Sequence, residues 1–172
     1  MASVFMSFIH EEESAAKHVH DFIHLILGPT IDTFISSDKN EIYAGDDWMK
    51  RIFEELGTTK VLVSMLSPDS VKRPWINFEA GAATALKAKV IPVCIGGLTI
   101  NQLPKPYSSL QAVEIDTHEG AYYLFSSIAH HLGMTLPKKP IFSEDLPPSW
   151  SEADKTDNKV LFNKYQAFQL FL

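Results

Sequence analysis

The stretch Trp75-Ile76-Asn77-Phe78-Glu79 sets an indole and a carboxylate four residues apart. In a helix that spacing puts both on one face and within mutual reach. A carboxylate that a neighbouring ring shields from water can stabilise developing positive charge, as carboxylates do when glycosidic bonds break. The same spacing also fits a solvated glutamate that only pairs with Arg73 or Lys87. Position adds weight to the first reading. Pro74 suits the first turn of a helix, and this helix comes just after the near-continuous apolar run of residues 60–66, which reads as a central parallel strand. In open α/β sheets, ligand clefts lie outside the carboxyl ends of the strands.

Other reactive side chains are less telling. Ser67 stands at the mouth of that strand and could bond a ligand, but Ser67-Pro68 is equally good turn chemistry. His20 and His24 are four apart with His18 nearby, a spacing that could clip a metal. No carboxylate or cysteine completes the set, so solvated helix histidines and no metal are expected. Cys94, the single cysteine, lies in an apolar run and reads as core. A nucleophile elbow, a phosphate-binding Walker loop and a complete dinucleotide glycine fingerprint are all missing, so serine hydrolase, NTPase and dehydrogenase readings lose support.

The elements that must position these groups alternate along the chain. Residues 4–9, 31–36, 60–66, 90–95 and 112–115 read as strands. Helices are expected over 12–27, from a cap at Asp46 or Asp47 to Leu56, over 74–87 and over 120–132, with Gly28 and Gly57 as stops. Phe53 is expected on the inner face of the second helix. Pro92 must leave one ladder position without a donor. This order implies a parallel, doubly wound sheet. Past Gly133 the character changes to a Pro-rich linker over 136–157, then an apolar helical extension over 158–172 that should pack back or meet a partner.

At 172 residues, one domain with a short extension is expected. A net charge of −6 without a long basic run argues against a duplex-binding surface. No apolar stretch is long enough to span a bilayer and no signal peptide is evident, so a cytoplasmic location without membrane contact is expected.

Four stretches together are similar to TIR domains, over residues 3–133: Val4 to Phe8, Ile42 to Trp48, Val61 to Pro68, and Trp75 to Gly81. The resemblance implies an α/β, flavodoxin-like five-stranded parallel sheet with helices on both faces, occupying 1–135. In the enzymatic branch of that family the glutamate of Trp-x-x-x-Glu is required for cleaving NAD, which assigns the catalytic role to Glu79. Prokaryotic members with the style of Asn77 to Ala83 commonly serve in antiphage defence.

The resemblance thereby implies an NAD+ glycohydrolase or ADP-ribosyl cyclase, with NAD+ as substrate and neither cofactor nor metal. Its implied partners are other TIR protomers, and possible ones a downstream effector or a fused or associated sensor. Ser7, Phe8, Asp38, Trp48, Ser67 and Trp75 become candidate substrate-binding residues, each with a bland alternative in packing or turn chemistry. The loop from Asp38 to Trp48 resembles the BB loop, which in enzymatic members helps form a composite site with a second protomer; it is also an ordinary surface loop. Nicotinamide leaves neutral, so one carboxylate can suffice, and the nucleophile reaching C1′ decides the product. The alternative is a TIR adaptor that signals by homotypic contacts and turns over no nucleotide.

Overall fold

Apolar runs buried on both faces make the centre of a sheet. The computed structural model describes residues 3–37 and 48–136. Within them β1 (Val4–Phe8), β2 (Thr33–Ser37), β3 (Val61–Leu66), β4 (Lys89–Cys94) and β5 (Val113–Glu114) form one parallel sheet in the order β2-β1-β3-β4-β5. The central pair, β1 and β3, is buried along its whole length. The connections carry α1 (Glu13–Leu27), α2 (Trp48–Thr58), α3 (Pro74–Ala85) and α4 (His118–Leu132). This is the flavodoxin-like arrangement expected from the sequence.

Period-two alternation sorts the strand residues between two layers. Val4, Met6 and Phe8 of β1 and Val61, Val63 and Met65 of β3 face α1 and α4, where they meet Val19, Ile23, Leu124 and Phe125. Phe5 and Leu62 face the other way, onto Ile52 and Leu56 of α2 and Ala83 of α3. Further along the strands, Leu66 and Cys94 meet Ile76 and Ala80 of α3 together with Tyr107. Cys94 is core, as expected.

Several expectations need correction. Gly57 does not end α2; the helix runs on to Thr58, and the hydroxyls of Thr58 and Thr59 donate to the Glu55 carbonyl at 3.1 and 2.8 Å. Phe53 is 44% exposed rather than inward, because the inner stripe of α2 is the i, i+4 pair Ile52 and Leu56. α3 stops at Ala85, and Lys87 takes a left-handed φ of 68° where the chain turns into β4. Asp38, the Asp46 and Asp47 caps, the linker beyond residue 136 and the C-terminal helix lie outside the described residues.

Pro92 is accommodated by the direction it faces. Lys89 N–H donates to the Lys60 carbonyl at 2.8 Å and Ile95 N–H to the Leu66 carbonyl at 2.9 Å, so odd residues of β4 address β3. Even residues address β5, as the bond from Ile115 N–H to the Cys94 carbonyl shows. Pro92 thus turns its donorless nitrogen toward β5, whose pairing starts only at Val93. At the next junction Gly120 is required by contact, since a Cβ there would sit 1.8 Å from the Glu114 carbonyl oxygen.

Candidate active site

α3 turns Ile76, Glu79, Ala80 and Ala83 toward the sheet, the i, i+3, i+4, i+7 stripe of a buried helix face. A carboxylate interrupts an otherwise apolar stripe, and it is 0% exposed. Beneath it the parallel register lines up Ser36 of β2, Ser7 of β1 and Ser64 of β3. Ser7 Oγ donates to Glu79 Oε2 and Ser36 Oγ to Oε1, each at 2.5 Å, the length of charge-assisted O–H···O bonds. Ser64 Oγ lies 3.5 Å from the Tyr107 hydroxyl, which donates to the Ile76 carbonyl at 3.2 Å. Tyr107 thereby braces the turn of α3 that precedes the carboxylate.

Burial pushes Glu79 up to about 7, against the opposing pull of hydrogen bonds from Ser36 and Ser7 and of the nearby Trp75 indole. The indole N–H is itself buried without a partner of good hydrogen-bond geometry, so its effect on Glu79 is through proximity. The Trp75 ring stacks on Phe78 at 5.3 Å between centroids, and Phe78 meets Phe53 edge-on at 5.9 Å. Burial also raises the Tyr107 hydroxyl, with the Glu79 charge adding to it. Glu79 therefore changes charge near neutrality. Ionised, it can accept hydroxyl donors and stabilise adjacent positive charge in a site screened little by water.

The solvated ion-pair alternative for Glu79 does not hold. Arg73 instead approaches Glu11, at 3.8 Å, and Glu79 is wholly covered. Among the described residues no group of three or more His, Cys, Asp or Glu side chains could hold a metal ion.

A family model for the TIR domain matches residues 4–124, well over half of the chain. The chain belongs to the TIR domain family. Among solved structures, this TIR domain is similar to a metazoan TIR-STING receptor from C. gigas, with a TM-score of 0.55 at 17% identity over 75% of this chain and 40% of that one. The same receptor in complex with 2',3'-cGAMP gives 0.54 at 17% identity, over 77% and 39%. The TIR domains of the activated Roq1 resistosome, which recognises the pathogen effector XopQ, give 0.44 at 16%, over 98% of both chains. The likeness to the receptor shows a shared fold, and the chain spans about two-fifths of the receptor's length. No curated protein is detectably similar in sequence.

Of the residues singled out in the TIR sequence, Ser7 and Glu79 are brought into direct contact. Trp75 and Trp48 pack against the same apolar cluster under α2 and α3. Phe8 is a correction: alternation turns it to the opposite face, 2% exposed among the residues under α1 and α4, so its side chain is no wall beside Glu79. Ser67 serves its turn, where Oγ accepts from the Asp69 and Ser70 amides at 3.2 Å each. His20 and His24 contact each other at 3.2 Å, His24 also reaches Thr33 Oγ1 at 3.1 Å, and burial holds His24 below its ordinary value. His18 is only 4% exposed, not solvated as expected. Ser36, Ser64 and Tyr107 were not anticipated. The signal for the two serines is that β2, β1 and β3 each carry a serine at one level of the sheet.

Proposed function

We propose that this TIR domain cleaves the nicotinamide–ribose bond of NAD+, as a glycohydrolase or ADP-ribosyl cyclase, with Glu79 stabilising the ribosyl cation. The observation that carries the reading is the pair of hydroxyls on the two oxygens of Glu79, from Ser7 and Ser36. A ribose diol offers the same two O–H donors. If the 2′- and 3′-hydroxyls replace the serines, the carboxylate lies along the hydroxyl edge of the sugar, where charge at C1′ and the ring oxygen develops as the bond breaks. Nicotinamide departs neutral and needs no acid. Trp75 keeps water from the carboxylate and so strengthens its field.

Because the carboxylate is covered, sugar entry requires the cover to be displaced, and contact with a second TIR protomer is the event we assign to that step. Activity then rises with self-association. It also rises with pH through about 7, as Glu79 takes its ionised form. The setting we favour is prokaryotic antiphage immunity in the cytoplasm, with the protein either depleting NAD+ or making a nucleotide signal for a downstream effector, under the control of a sensor.

One observation favours a second reading, a TIR adaptor acting by homotypic association: both oxygens of Glu79 are already satisfied by the protein itself, so it serves as a structural buried carboxyl. Incubation with NAD+ at low and high protein concentration separates the two readings. Nicotinamide release that grows with assembly, with the co-product identified by mass spectrometry, supports the enzyme. No release from dispersed or assembled protein supports the adaptor.

A further inference from the structure

At the β5 edge of the sheet, pairing between β4 and β5 covers only Val93 and Cys94 on the β4 side. The amino-terminal half of β4 has no strand beside it there. The chain before β5 and the second half of α4 flank the gap instead, leaving a groove of about 450 Å³ floored by Val90, Ile91 and Val113. That is within the usual size of a small-molecule site, roughly 300–1,000 Å³. Its rim gathers Lys89 from β4 with His130 and His131 from α4, and among the described residues no carboxylate lines it, although the chain carries a net charge of −6. Tyr123, 48% exposed, presents an open ring at the same groove.

We propose that this groove binds a nucleoside phosphate, its phosphate held by Lys89, His130 and His131 and its base lying on Tyr123. Two imidazoles and an ammonium on one rim, with no carboxylate among the described lining residues, offer a phosphate charge-assisted donors from three sides. The two histidine rings are 5.2 Å apart, and His131 is held below its ordinary value by burial, then by His130 and Lys89. A phosphate reverses that balance and favours protonation of His131. Ser126 and Ser127 direct their hydroxyl hydrogens to the Tyr123 carbonyl, at 3.0 and 2.6 Å, which leaves their lone pairs free to accept from a ribose. The apolar floor and the tyrosine ring explain why a bare phosphate would use only part of the groove. Binding here does not depend on the chemistry assigned to Glu79.

The test is calorimetric titration of the full chain with adenosine 5′-monophosphate, adenosine and inorganic phosphate in turn, at about pH 6 and about pH 8. The nucleotide should bind at least about tenfold more tightly than either fragment, and more tightly at the lower pH, where protonation of His131 adds a cation to the rim. Lys89→Ala and Tyr123→Ala should each weaken it by about tenfold, Lys89→Arg should retain it, and Glu79→Gln should leave it unchanged. By NMR, the His131 titration should move to higher pH when the nucleotide is present. The proposal is overturned by no saturable binding at millimolar nucleotide, by inorganic phosphate binding as tightly as the nucleotide, or by affinity indifferent to both alanine variants.

Discussion

Against α1 and α4 the two central strands, β1 and β3, present only apolar side chains, and the core there is one continuous cluster from Val4 and Val61 out to Val113. Against α2 and α3 the core is divided in two. Along that face β1 and the residue after it present Phe5, then Ser7, then Ile9; β3 presents Leu62, Ser64, Leu66; and α3 presents Ala83, Glu79, Ile76. In each element a polar group stands between a residue of one cluster and a residue of the other. The candidate site is thus a polar seam through a core, held by Ser7, Ser36 and Tyr107. A buried carboxyl of this kind costs stability wherever it is ionised, which is the expected mark of a group kept for function.

The largest effect of breaking the comparison should come from the apolar face. Phe125→Ala, at 0% exposure, should destabilise the fold by about 3–5 kcal/mol in urea unfolding, while turnover per folded molecule stays as it was. On the polar face, the effect of Glu79→Gln on stability should depend on pH. A carboxyl whose folded value is raised stabilises the native state fully below its unfolded value of 4.5, and that contribution is lost as pH rises through about 7. Relative to Glu79→Gln, the wild type should therefore lose about 2–3 kcal/mol between about pH 5 and pH 8. Glu12, also raised by burial, titrates in both proteins and cancels from the difference.

Smaller effects sharpen the account of the seam. Ser36→Ala removes one donor from the ionised carboxylate and should cost about 2 kcal/mol at about pH 8 and less at about pH 5. The pH dependence, tracked by thermal unfolding, separates that loss from a simple packing defect. Tyr107→Phe should cost about 1 kcal/mol, since it frees only the Ile76 carbonyl and the distant Ser64 hydroxyl.

The parallel sheet was legible because strands and helices alternate along the chain and because Val61 to Leu66 and Val4 to Phe8 are near-continuous apolar runs with turn residues after them, the pattern of central strands covered on both faces; its flavodoxin-like order came from the TIR resemblance. Glu79 was legible through Trp75 and through its place after the third strand. Its partners were not, because contacts between Ser36, Ser7 and Glu79 depend on register across strands distant in the chain. Phe8 shows the reverse failure: next to Ser7 in sequence, it lies on the other face, a consequence of alternation that proximity in the chain conceals. Phe53 fits the helical period of α2 as well as its neighbours do, and only the position of the sheet decides that Ile52 and Leu56 are the residues covered.

The most direct test of the central claim is nicotinamide release from NAD+ by wild-type and Glu79→Gln proteins, compared at equal, assembly-promoting concentrations and about pH 8. The account predicts that wild type releases nicotinamide and that Glu79→Gln falls by about 10²–10³-fold, on the scale of losing one preorganised electrostatic group. A Glu79→Gln protein that turns over NAD+ at the wild-type rate would contradict it.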